Sequence, residues 1–308
     1  MRTPLILLAL SISSLGIAKA PFNYAFDDAP LKKHATEAAE LEKLRAEGQE
    51  KPATRESLKR QFDLLGVISQ AEPEWVDGYW MLGEAAFQYG NSLTNPKDRD
   101  FARNIFVQGQ KATETCLKKA PDNAPCKMFL GAAMGKIASI DGIFSSLKKA
   151  HTIEKLWLDV IESGKNYPFS KSNTIQGSAR YALGIFYRLV PDSMFLNWMF
   201  DAKGDINKSI KMHKESVEED GPNACNLMML GVSQLCSVKG DVKSKVGLEG
   251  LNNFAEAKKL PVKNALAMTC ANDIPEIEKD PTLACGYETS RQQEEKSEEE
   301  IKKLKGKN

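Results

Sequence analysis

The stretch ATETCLKKAPDNAPCKMFLG, which runs from Ala112 to Gly131, has the pattern of two helices joined by a short turn. Its centre holds two prolines, an aspartate and an asparagine, residues that end one helix and cap the start of the next. Period-2 runs of β-branched residues, which predict strands, are few along the chain. We therefore predict a helix, a turn around residues 121–123 and a second helix.

The Leu-Gly pair that closes this stretch recurs at nearly regular intervals. It occurs at Leu82-Gly83, Leu130-Gly131, Leu183-Gly184 and Leu230-Gly231, with spacings of 48, 53 and 47 residues. Three of the four glycines follow a proline by nine or ten residues. Glycine inside a helix costs about 1 kcal/mol relative to alanine, so its return in register indicates a repeated close contact between helices. We predict an all-α chain of stacked helix pairs.

These helix pairs resemble tetratricopeptide repeats (TPRs). The resemblance rests on Ala112–Gly131, on Ala71–Gly83 and on Glu219–Gly231, and it covers about residues 53–261. The spacing exceeds the usual TPR period of about 34 residues, so the helices or their connections must be longer. The resemblance implies a right-handed solenoid of antiparallel helix pairs.

A second resemblance concerns the later repeats. Ala182–Pro191 followed by Lys203–Ser209 is similar to divergent bacterial TPR-like proteins, among them the periplasmic T-component of TRAP transporters. This resemblance implies a periplasmic protein that binds a small apolar molecule, a carboxylate or a lipid.

The first 20 residues have the pattern of a secretory signal peptide. Arg2 precedes an apolar run that extends to Ile17 and is too short to span a membrane. Cleavage after Ala18 and cleavage after Ala20 are both compatible with the small residues at these positions. We expect residues 1–20 to direct export and the mature protein to be periplasmic or secreted.

The rest of the chain divides into three parts. No stretch beyond residue 20 has an apolar run long enough to cross a membrane, so we do not expect an integral membrane protein after signal cleavage. The expected parts are an N-terminal helical segment (21–52), the TPR-like repeat domain (53–275) and a charged C-terminal helix or tail (276–308).

Composition argues against several classes of function. The chain has 42 Lys and Arg against 41 Asp and Glu, which argues against a nucleic-acid partner recognised through phosphate attraction. Its three histidines leave little material for a metal site, and the usual catalytic and cofactor-binding motifs are absent from the sequence. We predict that the protein is not an enzyme and carries no cofactor.

The six cysteines predict disulfides if the chain is exported, because disulfides persist in oxidising compartments. Cys116 and Cys126 flank the predicted turn, where a bridge would clamp the helix pair. Cys225 and Cys236 share a predicted helix and are too far apart to pair with each other. The alternatives are pairing of these two with Cys270 and Cys285, a Cys270–Cys285 bridge, or buried free thiols.

A candidate binding surface follows from the position of the Leu-Gly pairs. In repeat solenoids one helix of each pair lines an extended concave face. Residues that share one stripe of these helices would lie on that face. They are Trp80, Glu84, Phe87, Met128, Tyr181, Ile185, Arg188 and Met228. If the superhelix is closed, the same side chains fill its core instead.

We therefore predict a non-catalytic exported scaffold that binds an unidentified protein or peptide through this face. The alternative is a small-molecule or lipid carrier like the T-component, in which Arg188 receives a ligand carboxylate. An open groove would favour the scaffold, and an enclosed pocket around Trp80, Tyr181 and Arg188 would favour the carrier.

Overall fold

The computed structural model describes residues 21–170, 173–190, 203–262 and 265–287. The expected signal peptide lies outside these residues, as does most of the charged C-terminal segment. The described residues contain twelve α-helices and one two-stranded sheet, so the prediction of a mostly helical, all-α chain is confirmed for them. The helices are α1 (Ala29–Lys33), α2 (Ala35–Glu50), α3 (Arg55–Ala71), α4 (Val76–Ser92), α5 (Arg99–Lys119), α6 (Ala124–Asp141), α7 (Ile143–Glu162), α8 (Ile175–Leu189), α9 (Ile206–Asp220), α10 (Ala224–Ser237), α11 (Lys245–Ala257) and α12 (Ala265–Lys279).

Short elements fill the connections between these helices. Strand β1 (Pro168–Ser170) pairs antiparallel with β2 (Asn173–Thr174) between α7 and α8. Single 3-10 turns lie at Pro96–Asp98 and at Pro281–Cys285. None of the helices in the described ranges is long and apolar enough to cross a bilayer.

Asparagine side chains start two helices where the sequence predicts turns. At the start of α6, Asn123 Oδ1 accepts the Cys126 N–H at 3.0 Å. At the start of α10, Asn223 Oδ1 accepts the Asn226 N–H at 3.0 Å, and Asn226 Oδ1 accepts the Asn223 N–H at 2.8 Å. These bonds satisfy donors that no carbonyl of the helix can reach. They therefore fix the residue at which each helix begins.

The helices pack in the order of the chain. Each helix contacts the next one in sequence, and α4, α6, α8, α10 and α12 also contact one another in that order. We call these five helices the even-numbered layer. This layer carries all four Leu-Gly pairs, which lie in α4, α6, α8 and α10.

The repeated glycines lie where a neighbouring helix comes closest. A methyl group added to Gly83, Gly131, Gly184 or Gly231 would lie under 3 Å from an atom of the following helix. The atoms that it would meet, in the same order, are Thr113 Cγ2 at 2.6 Å, Trp157 Nε1 at 2.6 Å, His213 Nε2 at 2.5 Å and the Gly250 carbonyl oxygen at 2.7 Å. The predicted close contact at each Leu-Gly pair is therefore confirmed.

All six cysteines are paired. The bridge between Cys116 and Cys126 joins α5 to α6 across the turn, as the sequence predicts. The other bridges are Cys225–Cys270 and Cys236–Cys285, which tie α10 to α12 and to the 3-10 turn that follows it. Because disulfides persist in oxidising compartments, the three bridges indicate such an environment for this protein.

The expected boundary at residue 275 falls inside a helix. Helix α12 continues to Lys279, and the residues after it return to the helical body. Tyr287 is 5% exposed in the C-terminal core, where its hydroxyl donates to Asp273 Oδ2 at 2.7 Å. Residues 276–287 are thus part of the packed structure, because the Cys236–Cys285 bridge and buried apolar side chains hold them there.

Candidate functional site

The described structure begins with an irregular segment that lies across the helices. We call residues 22–28 the N-terminal arm. Its burial alternates between exposed and half-buried residues from Asn23 to Asp27, as in an extended chain with one side against a surface. The N–H groups of Asn23 and Tyr24 donate to the Asn166 carbonyl at 3.2 and 3.1 Å, and Asn23 Oδ1 accepts the Asn166 N–H at 2.9 Å. The start of the arm is therefore held through backbone groups.

The middle of the arm is anchored on a buried carboxylate. Asp77, in the first turn of α4, is only 3% exposed. It accepts the Tyr24 O–H, the Asp27 N–H at 2.7 Å and the Trp80 indole N–H at 2.6 Å. Burial, followed by the hydrogen bond to Asp77 and the charge of its carboxylate, raises the pKa of Tyr24 well above its usual value. The phenol therefore remains protonated and donates to the carboxylate.

A second anchor is aromatic. The Phe26 ring meets the Trp80 ring edge-on, with centroids 6.0 Å apart, and lies 5.7 Å from the Tyr167 ring. Trp80 stacks in turn on Phe129 at 6.2 Å. The Trp75 indole N–H donates to the Asp27 carbonyl at 2.8 Å and closes the far end of the arm. We call the surface formed by Trp75, Asp77, Trp80, Asn123, Asn166 and Tyr167 the arm groove.

A cleft of about 470 Å³ lies beside the arm. It is lined by Asn23, Tyr24, Ala25, Asp27, Glu74, Val76, Asp77, Asp122, Asn123, Ala124 and Lys165. One wall is the arm itself, and the other walls come from the turns before α4 and α6 and from the loop after α7. Four of these lining residues are acidic and one is basic, so the charged groups of the cleft are mainly negative.

The predicted surface residues are packed rather than aligned on one open face. Trp80, Met128 and Met228 are 1%, 7% and 0% exposed. Trp80 belongs to the aromatic contacts under the arm, whereas Met128 packs in a separate cluster with Trp157. The stripe does face inward, but the arm covers its first part, and later helices and the residues after α12 cover the rest. This arrangement corresponds to the filled core that the sequence left as an alternative.

The remaining predicted residues have structural partners. Glu84 is 7% exposed and accepts from Arg45 at 2.8 Å, and Phe87 is half-buried against Phe106. Tyr181 and Ile185 pack against the C-terminal core. Arg188 is 7% exposed and donates to the Ala284 and Cys285 carbonyls at 2.9 and 3.1 Å. The guanidinium thus holds the chain after α12 instead of lying in the cleft beside the arm.

The arm is not among the sites predicted from the sequence. Its signal is the alternation of Phe22, Tyr24 and Phe26 with small or polar residues, which is typical of an extended segment with one buried side. The groups that receive it come from α4, from the start of α6 and from the loop after α7. Sequence patterns describe single segments, and they do not indicate which distant segments meet.

A different buried group lies between α8 and α9. His213 is 0% exposed, packs edge-on against the Tyr181 ring at 5.6 Å, and faces Gly184. Neither of its ring nitrogens has a hydrogen-bond partner within the described structure. Burial, with a further contribution from the Arg188 charge, lowers the pKa of His213 to about 3. The imidazole is therefore neutral at neutral pH and fills the space between α8 and α9.

No group of three or more His, Cys, Asp or Glu side chains in the described ranges is placed to hold a metal ion. The aromatic, amide and carboxylate groups of the arm groove define the candidate site. In comparisons with known proteins, no family model and no curated protein matches this chain.

Proposed function

We propose that this chain is a non-catalytic, exported, TPR-like helical-repeat protein that binds an extended segment of a partner protein at the arm groove. The observation that carries the proposal is the arm. A short non-helical segment lies across the helices and is held by backbone, carboxylate, amide and aromatic groups. A surface that holds one extended segment in this way has the groups needed to recognise another.

The order of helix contacts supports a solenoid of stacked helix pairs, and the right-handed, antiparallel arrangement is the one that the TPR resemblance implies. The even-numbered layer has consecutive contacts between alternate helices, which is the arrangement expected when helix pairs stack. Helices of 18 and 21 residues in α6 and α5 account for a repeat longer than that of ordinary TPRs. The three disulfides support export.

The alternative is the binding of a small molecule, as in the T-component. The cleft beside the arm favours it, because its volume of about 470 Å³ is within the usual range for small-molecule sites. Its lining of four acidic residues and one lysine suits a cationic ligand better than the carboxylate ligand expected from the sequence.

Site-directed photocrosslinking distinguishes these functions. A photoreactive phenylalanine is placed at position 165, on the cleft rim, and in a matched variant at position 67, where Val67 is 54% exposed on α3. Both proteins are expressed in an exporting bacterial host and irradiated. We expect a partner protein to be crosslinked at position 165 and not at position 67.

The small-molecule function makes the opposite prediction. It predicts a bound compound in the native mass spectrum of the purified chain and no protein crosslink specific to position 165. Equal crosslinking at both positions would refute a partner site at this groove.

A further inference from the structure

Apart from local bonds of Asp27 and Asp28 to α1, the hydrogen bonds between the arm and the helical body span long stretches of chain. Their partners are at least 48 positions apart in sequence. The arm has no helix or strand hydrogen bonds of its own that would order it in isolation. A separate peptide could therefore make the same contacts without the connection through α1.

The groups that receive the arm are positioned by other parts of the protein. Asn166 Nδ2 donates to Glu219 Oε1 at 3.0 Å, and Asn166 Oδ1 accepts the Gln176 N–H at 3.2 Å. Asn123 caps α6 with its oxygen and donates to the Tyr24 hydroxyl with its nitrogen at 2.7 Å. Binding groups that are oriented in advance lose little freedom when a ligand arrives. The groove therefore has its shape independently of the arm.

The same groups require an occupant. If the arm left, the buried Asp77 carboxylate would lose two of the three donors described above, and the Asn166 carbonyl would lose both arm N–H groups. Buried polar atoms without partners are costly. An occupant that restores these contacts needs an amide side chain at the position of Asn23, a phenol at Tyr24 and an aromatic ring at Phe26.

We propose that the arm is a replaceable occupant, and that the partner protein binds by inserting an extended segment with the same Asn-Tyr-x-Phe chemistry. This inference rests on the proposed function and names the ligand class of that site. The arm is tethered beside the groove, at an effective concentration of the order of millimolar. The groove is thus mostly self-occupied, and weakening the arm exposes it to a partner.

Peptide binding to the full chain tests this. The probe is a fluorescent peptide with the sequence of residues 21–29, and its control carries alanine in place of the tyrosine and the second phenylalanine. We expect a Tyr24→Phe, Phe26→Ala variant to bind the probe at least 10-fold more tightly than the intact protein, because its own arm competes less. The control peptide should bind neither protein.

Three results would overturn the proposal. One is equal affinity of the two proteins for the probe, which would place the peptide elsewhere. Another is the absence of saturable binding by a variant that retains the helical circular dichroism spectrum. The third is an intact protein that is a dimer by light scattering and that the peptide does not dissociate. The arm of a second copy would then be the occupant of each groove.

Hydrogen exchange of the intact protein decides the case if that variant does not fold. The amides of Asn23, Tyr24 and Asp27 are bonded only between arm and groove. A replaceable arm should release these amides at least 100-fold faster than the slowest amides of α6. If they exchange as slowly as those amides, the arm leaves only on global unfolding and the inference is wrong. In that case a specific crosslink at position 165 would still support partner binding, but with the partner in the cleft beside the arm and not in the arm groove.

Discussion

The two ends of the described chain both lie against the even-numbered layer, but they are held in different ways. The N-terminal arm lies on α4 and α6 and is held by hydrogen bonds and aromatic contacts alone. Residues 281–287, which we call the C-terminal strap, pack on α10 and receive hydrogen bonds from Arg188 of α8. A disulfide between Cys236 and Cys285 fixes the strap. The same kind of surface is therefore closed permanently at one end and reversibly at the other.

The largest expected effect on stability comes from removing the disulfide that fixes the C-terminal strap. We expect Cys236→Ser with Cys285→Ser to lower the free energy of unfolding by about 4 kcal/mol, by the chain-entropy relation for a closed loop and a sequence separation of 49 residues. The matched variant, Cys116→Ser with Cys126→Ser, opens a separation of only 10 residues and should cost about 3 kcal/mol. Urea denaturation measures both. A larger loss from the shorter loop would contradict the idea that the strap depends on its bridge.

A smaller effect tests whether the layer beneath the two ends is equally close-packed. We expect Gly83→Ala in α4 and Gly231→Ala in α10 each to destabilise the protein by about 1–3 kcal/mol, because the added methyl overlaps the next helix. Gly66→Ala is the control, since nothing lies within 4 Å of its added methyl group. This control should stabilise α3 by up to about 1 kcal/mol. In thermal unfolding, the midpoint temperature should fall for Gly83→Ala and Gly231→Ala and rise for Gly66→Ala. An unchanged midpoint for Gly231→Ala would mean that the C-terminal half can repack around the added methyl group.

These glycines also show what the sequence could predict. Helices, turns and glycine contacts follow local patterns, so their positions were predictable from residue order and spacing. The Cys116–Cys126 bridge was predictable because it closes a single turn. The predicted face at Trp80 and Arg188 was placed on the inner side of the helices, yet periodicity does not say what covers a face. The arm and the strap cover it, and both reach their sites through contacts between distant parts of the chain.

Acid should weaken the C-terminal half in particular. The pKa of His213 is about 3 in the folded protein, against 6.5 for an ordinary histidine. Between these values the unfolded chain binds more protons than the folded one, so stability is complete above about pH 6.5 and falls as the pH decreases toward 3. We expect a loss of about 1.5 kcal/mol between pH 6.5 and pH 5, a window above the titration of the carboxylates.

The pH dependence has a matched control. Urea denaturation of His213→Leu should show a free energy of unfolding almost independent of pH in that window. In contrast, His151→Gln, at an exposed position on α7, should retain the slope of the unaltered protein. A slope that persists in His213→Leu would assign the acid sensitivity to other groups.

The smallest expected effect concerns the reversible end. Tyr24→Phe removes one donor from Asp77 and the acceptor for Asn123 while keeping the ring. We expect a loss of about 1 kcal/mol, together with faster exchange of the Asp27 amide. An unchanged exchange rate at this amide would show that the hydroxyl does not hold the arm.

The bridge between Cys116 and Cys126 has a consequence for the maturation of the groove. It closes a small covalent ring around the turn that carries Asp122 and Asn123, and these residues form part of the rim of the cleft. A newly made chain in a reducing environment would present this rim on a turn restrained only by helix packing and by the hydrogen bonds of Asn123. Oxidation thus adds the covalent restraint to this rim, and the protein acquires it in the compartment where its thiols are joined.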